Sequence, residues 1–136
     1  MPKEPTPREN ELATRIIGCA MIVHRKFGPG LLEPVYEACF AHELRKAGMR
    51  VHRQKAQPIE YDGLVFDDPL RLDLFVDDTI IVENKAVEEI IPIHLAQLRT
   101  YLKLANRRLG LLINFNTILL KNGVRRVVNG EATYDQ

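Results

Sequence analysis

Cysteine is scarce in this sequence, and long apolar runs are missing. Cys19 and Cys39 are the only cysteines, and neither belongs to a CxxC pair or another pattern typical of a zinc or iron–sulfur site. We therefore expect buried free thiols. No apolar stretch approaches the roughly 20 residues needed to span a bilayer, and the polar, proline-rich start lacks the apolar segment of a secretory signal. These absences predict a cytoplasmic protein with no membrane partner.

Acidic residues are missing from a long stretch in the second half of the chain. Residues 90–130 contain no Asp or Glu but have seven basic residues. These are Arg99, Lys103, Arg107, Arg108, Lys121, Arg125 and Arg126. An excess of acidic residues elsewhere brings the net charge to only +1. Two interpretations remain open: either the cations are separately solvated, or several share a face that binds the phosphates of DNA or RNA.

Length and composition predict one globular domain. With 136 residues, of which 46% are hydrophobic and 27% charged, the chain is long enough to bury a core of its own. We expect this domain to occupy residues 11–130. The polar ends, 1–10 and 131–136, are expected to be flexible tails.

Three helices are predicted from apolar residues at helical spacing. The first covers 11–27. The second begins near Pro34 and ends at Gly48, and the third begins near Pro92. The first helix is also the expected surface for a homodimer or another partner, unless it only covers the sheet.

Strands are predicted from period-two alternation, over 49–61, 64–66, 70–76, 80–87, 109–115 and 124–128. Asp62-Gly63 is a strong hairpin turn, and Pro58 indicates an edge strand or a bulge. Within 70–76, we expect the leucines and Val76 to form one apolar face and the intervening residues to form the other.

Charged residues interrupt two of these strands. Glu83 and Lys85 are two residues apart and therefore share a face. A two-residue turn between the strands would leave Glu83 on the face opposite to Asp73, whereas a three-residue turn over 77–79 pairs the two carboxylates. Only the three-residue turn keeps the apolar face intact. We therefore predict Asp73 and Glu83 side by side, with Lys85 one step beyond.

Two adjacent carboxylates repel each other and need a compensating positive charge. Mg²⁺ or Mn²⁺ meets this need, because these hard cations take oxygen ligands and leave positions for water and a phosphate. The backbone carbonyl of Asn84 would add a ligand, and Lys85 would orient the attacking water and offset phosphate charge. The alternative is a lysine that only neutralises the two carboxylates.

The third helix adds a polar pair. Gln97 and Tyr101 are four residues apart and share a stripe beside the buried leucines. Gln97 would accept a hydrogen bond from Lys85 or from a metal-bound water, and the Tyr101 hydroxyl would reach a phosphate. Core packing of Tyr101 beside a surface Gln97 is the more frequent explanation of such a pair. In the second helix, Glu33 projects near the packed face, where it can simply favour the helix N-terminus.

The order of these segments resembles the core of the PD-(D/E)XK nuclease superfamily. More closely, the segments FGPGLLEPVYEACFAHELRKAG, RLDLFV, IIVENKAVEEI, AQLRTYLKL and RLGLLINFN resemble the bacterial GxxExxY proteins. Gly30, Glu33 and Tyr36 represent that motif. The resemblance runs from about Leu12 to Val128.

This resemblance implies a three-layer α/β/α fold with a mixed central β-sheet and a metal-dependent phosphodiesterase site. By position, Asp73 and Glu83 would be metal ligands, and Glu33 would be a further direct or water-mediated ligand. The other residues carried over are Lys85, which would orient the water, and Gln97 and Tyr101, which match an accessory motif of nucleases resembling the RecB nuclease domain.

Two functions are consistent with these residues. The leading one is a nuclease that hydrolyses DNA or RNA phosphodiester bonds by in-line attack of a metal-bound water. The alternative is a catalytically inactive module with the nuclease fold that binds nucleic acid or a protein partner. Asn84 departs from the family pattern, since an apolar residue usually stands between the Glu and the Lys. It would face the apolar side of the strand and so affect packing more than chemistry.

Overall fold

A five-stranded mixed β-sheet lies at the centre of the fold. The computed structural model describes residues 4–130. Its strands are β1 (Val51–Tyr61), β2 (Leu64–Val76), β3 (Ile80–Lys85), β4 (Leu109–Asn114) and β5 (Val124–Val128). The helices are α1 (Pro7–Phe27), α2 (Glu33–Lys46) and α3 (Pro92–Ala105), with a short 3₁₀ turn at Leu120–Gly123.

The strands follow one another across the sheet in the order in which they occur along the chain. Neighbouring strands pair antiparallel except β3 and β4, which are parallel and are joined by α3. The carboxyl ends of β3 and β4 therefore share one edge of the sheet. Open α/β sheets commonly bind ligands at such an edge.

Apolar side chains form a core on each face of the sheet. On one face, α1 and α2 pack against residues that include Val82 and Leu111. On the other, Leu98 and Leu102 of α3 pack against residues that include Leu112. Helices thus cover both faces, which confirms the expected three-layer α/β/α fold with a mixed sheet. Within the described residues, no helix is both long and apolar enough to cross a lipid bilayer.

Helix α1 begins earlier than the apolar pattern predicts. The Thr6 side chain accepts a hydrogen bond from the backbone N–H of Glu9 at 3.1 Å, and the Glu9 carboxylate accepts one from the N–H of Thr6 at 2.7 Å. Residues 7–10 are therefore helical, although we expected them in a flexible tail. Apolar periodicity does not detect this turn, because its residues are polar. Residues 1–3 and 131–136 of the expected tails lie outside the described residues.

The apolar stripe of α1 is buried in the core that it shares with α2. Cys19 is part of that stripe, and burial raises the pKa of its thiol. Cys39 in α2 is also a free thiol but is only half-buried. The stripe therefore covers the sheet. A homodimer would have to use a different surface, and its existence stays a prediction.

The β1–β2 hairpin is longer than expected. A single strand, β2, replaces the two segments that we expected over 64–66 and 70–76. The turn at Asp62-Gly63 is confirmed, with φ angles of 50° and 83°. The ladder shifts register beside Pro58, on the edge strand of the sheet. The sequence hides the continuity of β2 because the polar segment 67–69 interrupts the apolar pattern.

The side chains of β2 do not alternate regularly between the two faces of the sheet at Asp73. The prediction that its leucines and Val76 share one face is wrong, because Leu74 lies in the core beneath α1 and α2 whereas Leu72 lies in the core beneath α3. Across from Asp73, Gln54 of β1 has a left-handed φ of 51° and is missing from the regular pairing. This irregularity breaks the strict alternation on which the prediction depended.

Gly123 is packed too closely to accept a side chain. A Cβ atom at this position would overlap the backbone carbonyl oxygen of Asn114 at the end of β4. We expect Gly123→Ala to lower the free energy of unfolding by about 1–3 kcal/mol, because the backbone must shift. In the control Gly18→Ala, the new Cβ meets no atom of residues 4–130 within 4 Å, and the substitution should stabilise α1 by up to about 1 kcal/mol. Urea unfolding of both variants measures the difference, and equal stabilities would contradict this packing.

Candidate active site

The ladder between β2 and β3 ends immediately before two carboxylates. Its last pair is Leu74–Val82. Beyond this pair, the backbone N–H of Asp73 donates to the Glu83 carboxylate at 3.0 Å, and the N–H of Asn84 donates to the Asp73 carboxylate at 2.9 Å. Side chains therefore take the place of backbone partners where the two strands separate.

The turn over 77–79 sets this arrangement. It pairs Val76 with Ile80, which is the register expected for a three-residue turn. That register is confirmed, and it brings Asp73 and Glu83 side by side.

Burial raises the pKa of both carboxyls. Burial, followed by the charge of Asp73, raises the pKa of Glu83 to about 8. The N–H of Asp73 and the charge of Lys85 lower this pKa, but by less. The pKa of Asp73 rises to about 6, mainly through burial. The pair therefore retains a proton near neutral pH unless a cation displaces it.

Lys85 and Tyr101 flank the carboxylates. Lys85 is two residues beyond Glu83 on β3 and faces the same side of the sheet. Burial and the charges of Glu83 and Asp73 raise the pKa of Tyr101, which places its hydroxyl within the field of the pair. Gln97, one turn earlier on α3, is exposed and has no hydrogen-bond partner within 4–130. The suggested hydrogen bond from Lys85 to Gln97 is therefore not formed, because Gln97 projects toward solvent.

Helix α2 contributes two carboxylates from successive turns. Glu33 is half-buried in the first turn, and its charge raises the pKa of both Asp73 and Glu83. Glu37, one turn later, is buried and affects Asp73 more strongly than Glu33 does. Sequence reasoning selected Glu33 and missed Glu37. The four-residue spacing, which puts both on one face of α2, was the available signal.

A polar network connects Glu37 to Asp73. The Arg53 guanidinium donates from Nε and Nη2 to one Glu37 oxygen, at 3.2 Å in each case. The Gln54 amide donates to the other Glu37 oxygen at 2.8 Å and to Asp73 at 3.3 Å. Glu37 therefore orients Asp73 through Gln54. Sequence reasoning also missed Gln54, because no motif reveals its left-handed backbone conformation.

The Asn84 side chain points away from the carboxylates. It is fully buried, and within the described part of the chain neither its amide nitrogen nor its amide oxygen has a hydrogen-bond partner. Ile80 and Val82, which share its side of β3, lie in the core beneath α1 and α2, so Asn84 faces the apolar side as predicted. Its backbone N–H is the part that contacts the site.

The donor atoms suit a hard divalent cation. Asp73, Glu83 and Glu33 offer carboxylate oxygens, which are the ligands that Mg²⁺ and Mn²⁺ prefer. Among residues 4–130, no three His, Cys, Asp or Glu side chains converge closely enough to hold a metal by themselves. A third, direct carboxylate ligand from Glu33 is thus not preformed. Two carboxylates are sufficient for Mg²⁺, which commonly keeps several waters.

The seven basic residues of 90–130 do not share one face. Arg125 and Arg126 are consecutive in β5 and point to opposite faces of the sheet. Arg107 contacts Asp78 in the turn between β2 and β3, at the end of β3 opposite to the carboxylates. One phosphate-binding face built from all seven is therefore excluded.

The other basic residues are also separated. Arg108 contacts the Glu9 carboxylate at 3.5 Å, and Arg126 contacts Asn10 at 2.6 Å, so both lie near the start of α1. Arg99 and Lys103 lie one turn apart on α3, on the flank away from Gln97 and Tyr101. Lys121 is in the 3₁₀ turn that follows the carboxyl end of β4.

A protein-family model for the PD-(D/E)XK nuclease superfamily matches residues 10–127. The chain belongs to this superfamily. No curated protein and no solved structure matches it. The matched range contains all five strands except the last residue of β5, together with most of α1 and all of α2 and α3.

The name PD-(D/E)XK describes a motif that this chain contains in part. The letters of the motif fit Asp73 and Glu83-Asn84-Lys85 in the sequence, and both lie within the matched range. Leu72 stands in place of the proline and is buried in the core beneath α3. In this PD-(D/E)XK protein, the motif thus coincides with the point at which β2 and β3 separate.

Proposed function

We propose that this protein is a nuclease that hydrolyses phosphodiester bonds of DNA or RNA, with Mg²⁺ or Mn²⁺ as its cofactor. Membership of the PD-(D/E)XK superfamily supports a nuclease. The observation that carries the proposal is the end of the β2–β3 ladder, where Asp73 and Glu83 bind each other's strand beside Lys85. Adjacent carboxylates of which one is buried and the other half-buried are unfavourable for stability, so their presence favours a functional site.

We propose that Asp73, Glu83 and the backbone carbonyl of Asn84 hold the cation, with Glu33 binding it directly or through water. The repulsion within the carboxylate pair supports this assignment, because a divalent charge removes it. When bound, the cation supplies charge for the phosphate and lowers the pKa of the attacking water.

The neighbouring side chains have separate tasks in this proposal. Lys85 presents its ammonium group on the same face as Glu83, where it orients water and offsets the charge of the phosphate. The Tyr101 hydroxyl donates a hydrogen bond to a phosphate oxygen. Gln97, which is exposed on the same flank of α3, contacts the nucleic acid at the rim of the site.

We further propose that the chain belongs to the GxxExxY group, which Gly30, Glu33 and Tyr36 represent. The Tyr36 hydroxyl donates to the carbonyl of Gly28 at 2.5 Å and accepts from the N–H of Leu31 at 3.1 Å. This buried tyrosine therefore fixes the loop that leads into Glu33. The contact supports a structural reason for the motif, since it places the carboxylate at the start of α2.

The test is a survey of substrates. Labelled single-stranded, double-stranded and branched DNA and labelled RNA are incubated with the purified protein in Mg²⁺, in Mn²⁺ and in EDTA. The Asp73→Ala variant is assayed in parallel. We expect cleavage by the wild-type protein alone, only with a divalent cation, and the substrate that is cut identifies the class of nucleic acid.

The alternative function predicts a different pattern. A catalytically inactive module would bind nucleic acid equally well in both proteins and would cut nothing in any of the cations. That outcome would reject the nuclease proposal and leave binding as the function.

A further inference from the structure

A cleft of about 750 Å³ lies between the end of α1 and the chain that follows β4. Its walls come from the last turns of α1 and from residues 118–121. The active-site proposal uses none of these side chains.

The cleft lies at the same edge of the sheet as the carboxylates. The chain that forms its second wall leaves β4 at Phe115, whose N–H donates to the carbonyl of Lys85 at 2.9 Å. The two walls are joined by His24, whose Nε2 lies 2.7 Å from the carbonyl of Thr117. The first wall continues through the loop at Gly28 into α2. The walls of the cleft are thus connected to the segment that carries Lys85 by this hydrogen bond, and to the segment that carries Glu33 through the chain itself.

The cleft is positively charged. Arg25, Lys26 and Lys121 line it and are exposed, and their side chains have no ion pair or hydrogen bond with any residue in 4–130. Among the described residues that line it, none is Asp or Glu. Three cations without partners around one concave surface attract a polyanion.

The cleft also exposes apolar side chains. Phe27 is 45% exposed and Ile118 is 83% exposed, although both are large hydrophobic residues. An aromatic face bordered by cations is the combination on which single-stranded nucleic acids stack. A duplex does not fit this chemistry, because its base faces are already stacked on each other.

We propose that this cleft binds an unpaired stretch of the nucleic-acid substrate next to the bond that is cut, with a base stacked on Phe27 and phosphates contacted by Arg25, Lys26 and Lys121. The proposal rests on the nuclease function and adds a substrate class to it, since it selects single strands or the unpaired parts of branched substrates. It also gives Lys121, one of the seven basic residues, a specific task.

The test measures the affinity for labelled single-stranded and duplex oligonucleotides by fluorescence anisotropy, in the Asp73→Ala background so that the substrate stays intact. Phe27→Ala should weaken single-strand binding by about 5- to 150-fold, the effect of removing one base stack, and leave duplex binding unchanged. Phe66→Ala is the matched control, because Phe66 is 48% exposed but lies on the β1–β2 hairpin outside the cleft.

A second variant tests the charge independently. Lys121→Ala should weaken single-strand binding and reduce the slope of log affinity against log salt by about 0.7, the contribution of one phosphate contact. Thermal melting confirms that each variant is folded.

Single-strand affinity that is unchanged in both Phe27→Ala and Lys121→Ala would overturn the proposal. A complete lack of oligonucleotide binding would also overturn it and would favour a protein as the occupant of the cleft. The proposed nuclease function is tested separately. If the wild type cleaves and both variants bind single strands normally, only the proposal for the cleft is rejected. If the variants weaken binding but the wild type cleaves nothing, only the nuclease function is rejected.

Discussion

Alanine in place of Asp73 is expected to lower the rate of phosphodiester cleavage by about 10³-fold or more. A carboxylate that holds a catalytic cation contributes several kcal/mol to stabilisation of the transition state, and this free energy corresponds to a factor of that size. The change also removes the acceptor for the N–H of Asn84 and for the Gln54 amide. Single-turnover cleavage with excess protein measures the effect without a contribution from product release.

Asp67→Ala is the control for this experiment. Asp67 is an exposed carboxylate on the same strand, so its loss changes the net charge equally but leaves the site intact. We expect wild-type rates from the control and folded protein in both cases, checked by circular dichroism. Cleavage by Asp73→Ala at a rate near that of the control would mean that Asp73 does not act in the reaction.

The position of the two carboxylates was predictable because it depends on local rules. A three-residue turn keeps the apolar residues of β2 and β3 near the turn on one face, and that constraint alone brings Asp73 beside Glu83. The helices and most of the strands were predictable for a similar reason, since periods of 3.6 and 2 residues are properties of a single segment. The mixed sheet was expected only from the family resemblance, because periodicity does not show which strands pair in parallel. The family resemblance added the order of the layers.

The shape of β2 beyond the carboxylates was not predictable from alternation. Leu72 lies in the opposite core from Leu74 because the regular alternation of side chains in β2 is interrupted at Asp73. The interruption depends on a backbone irregularity in the neighbouring β1. Such an event joins residues far apart in the sequence. Glu37 and Gln54 were missed for the same reason, because their importance lies in hydrogen bonds across elements.

The basic region shows a different limit of sequence reasoning. Seven cations without an acidic neighbour are a strong compositional signal, yet two of them are consecutive on β5 and point to opposite faces. Others contact the start of α1 or the β2–β3 turn. The face on which a charge lies depends on the position of its element in the fold. A run of charges in the sequence therefore does not predict a charged surface.

The polar groups at the site form two sets with opposite effects on stability. Arg53 and Gln54 both donate hydrogen bonds to Glu37, so this carboxylate is paired and hydrogen-bonded. Asp73 and Glu83 receive one backbone N–H each but repel each other, and Glu83 is buried whereas Asp73 is half-buried. The fold thus stabilises the surroundings of the site, whereas the two carboxylates at its centre destabilise each other when both are ionised.

The burial of Glu83 and its repulsion by Asp73 make stability depend on pH in a definite direction. In the folded state the pKa of Glu83 rises from its ordinary value of 4.5 to about 8, so folding favours the protonated carboxyl. In EDTA, the contribution of Glu83 to the free energy of unfolding should therefore be largest at low pH. It should fall as pH rises from 4.5 to about 8. Glu83→Gln removes the titrating group and should gain about 1–3 kcal/mol of stability at pH 8.

A divalent cation should stabilise the protein more at high pH than at low pH. Mg²⁺ or Mn²⁺ binds the deprotonated carboxylates, so its stabilisation of the wild type should be small at pH 6 and increase toward pH 8, reaching about 2.7 kcal/mol at a concentration 100 times its dissociation constant. Glu83→Gln should lose most of this increase in Tm, whereas the control Glu60→Gln, on the exposed hairpin, should keep it. Differential scanning fluorimetry across pH and cation concentration measures both effects. A full cation-induced shift in Glu83→Gln would show that Glu83 is not a ligand, and a wild-type stability in EDTA that does not fall between pH 4.5 and 8 would show that the carboxylate pair is not held together without a cation.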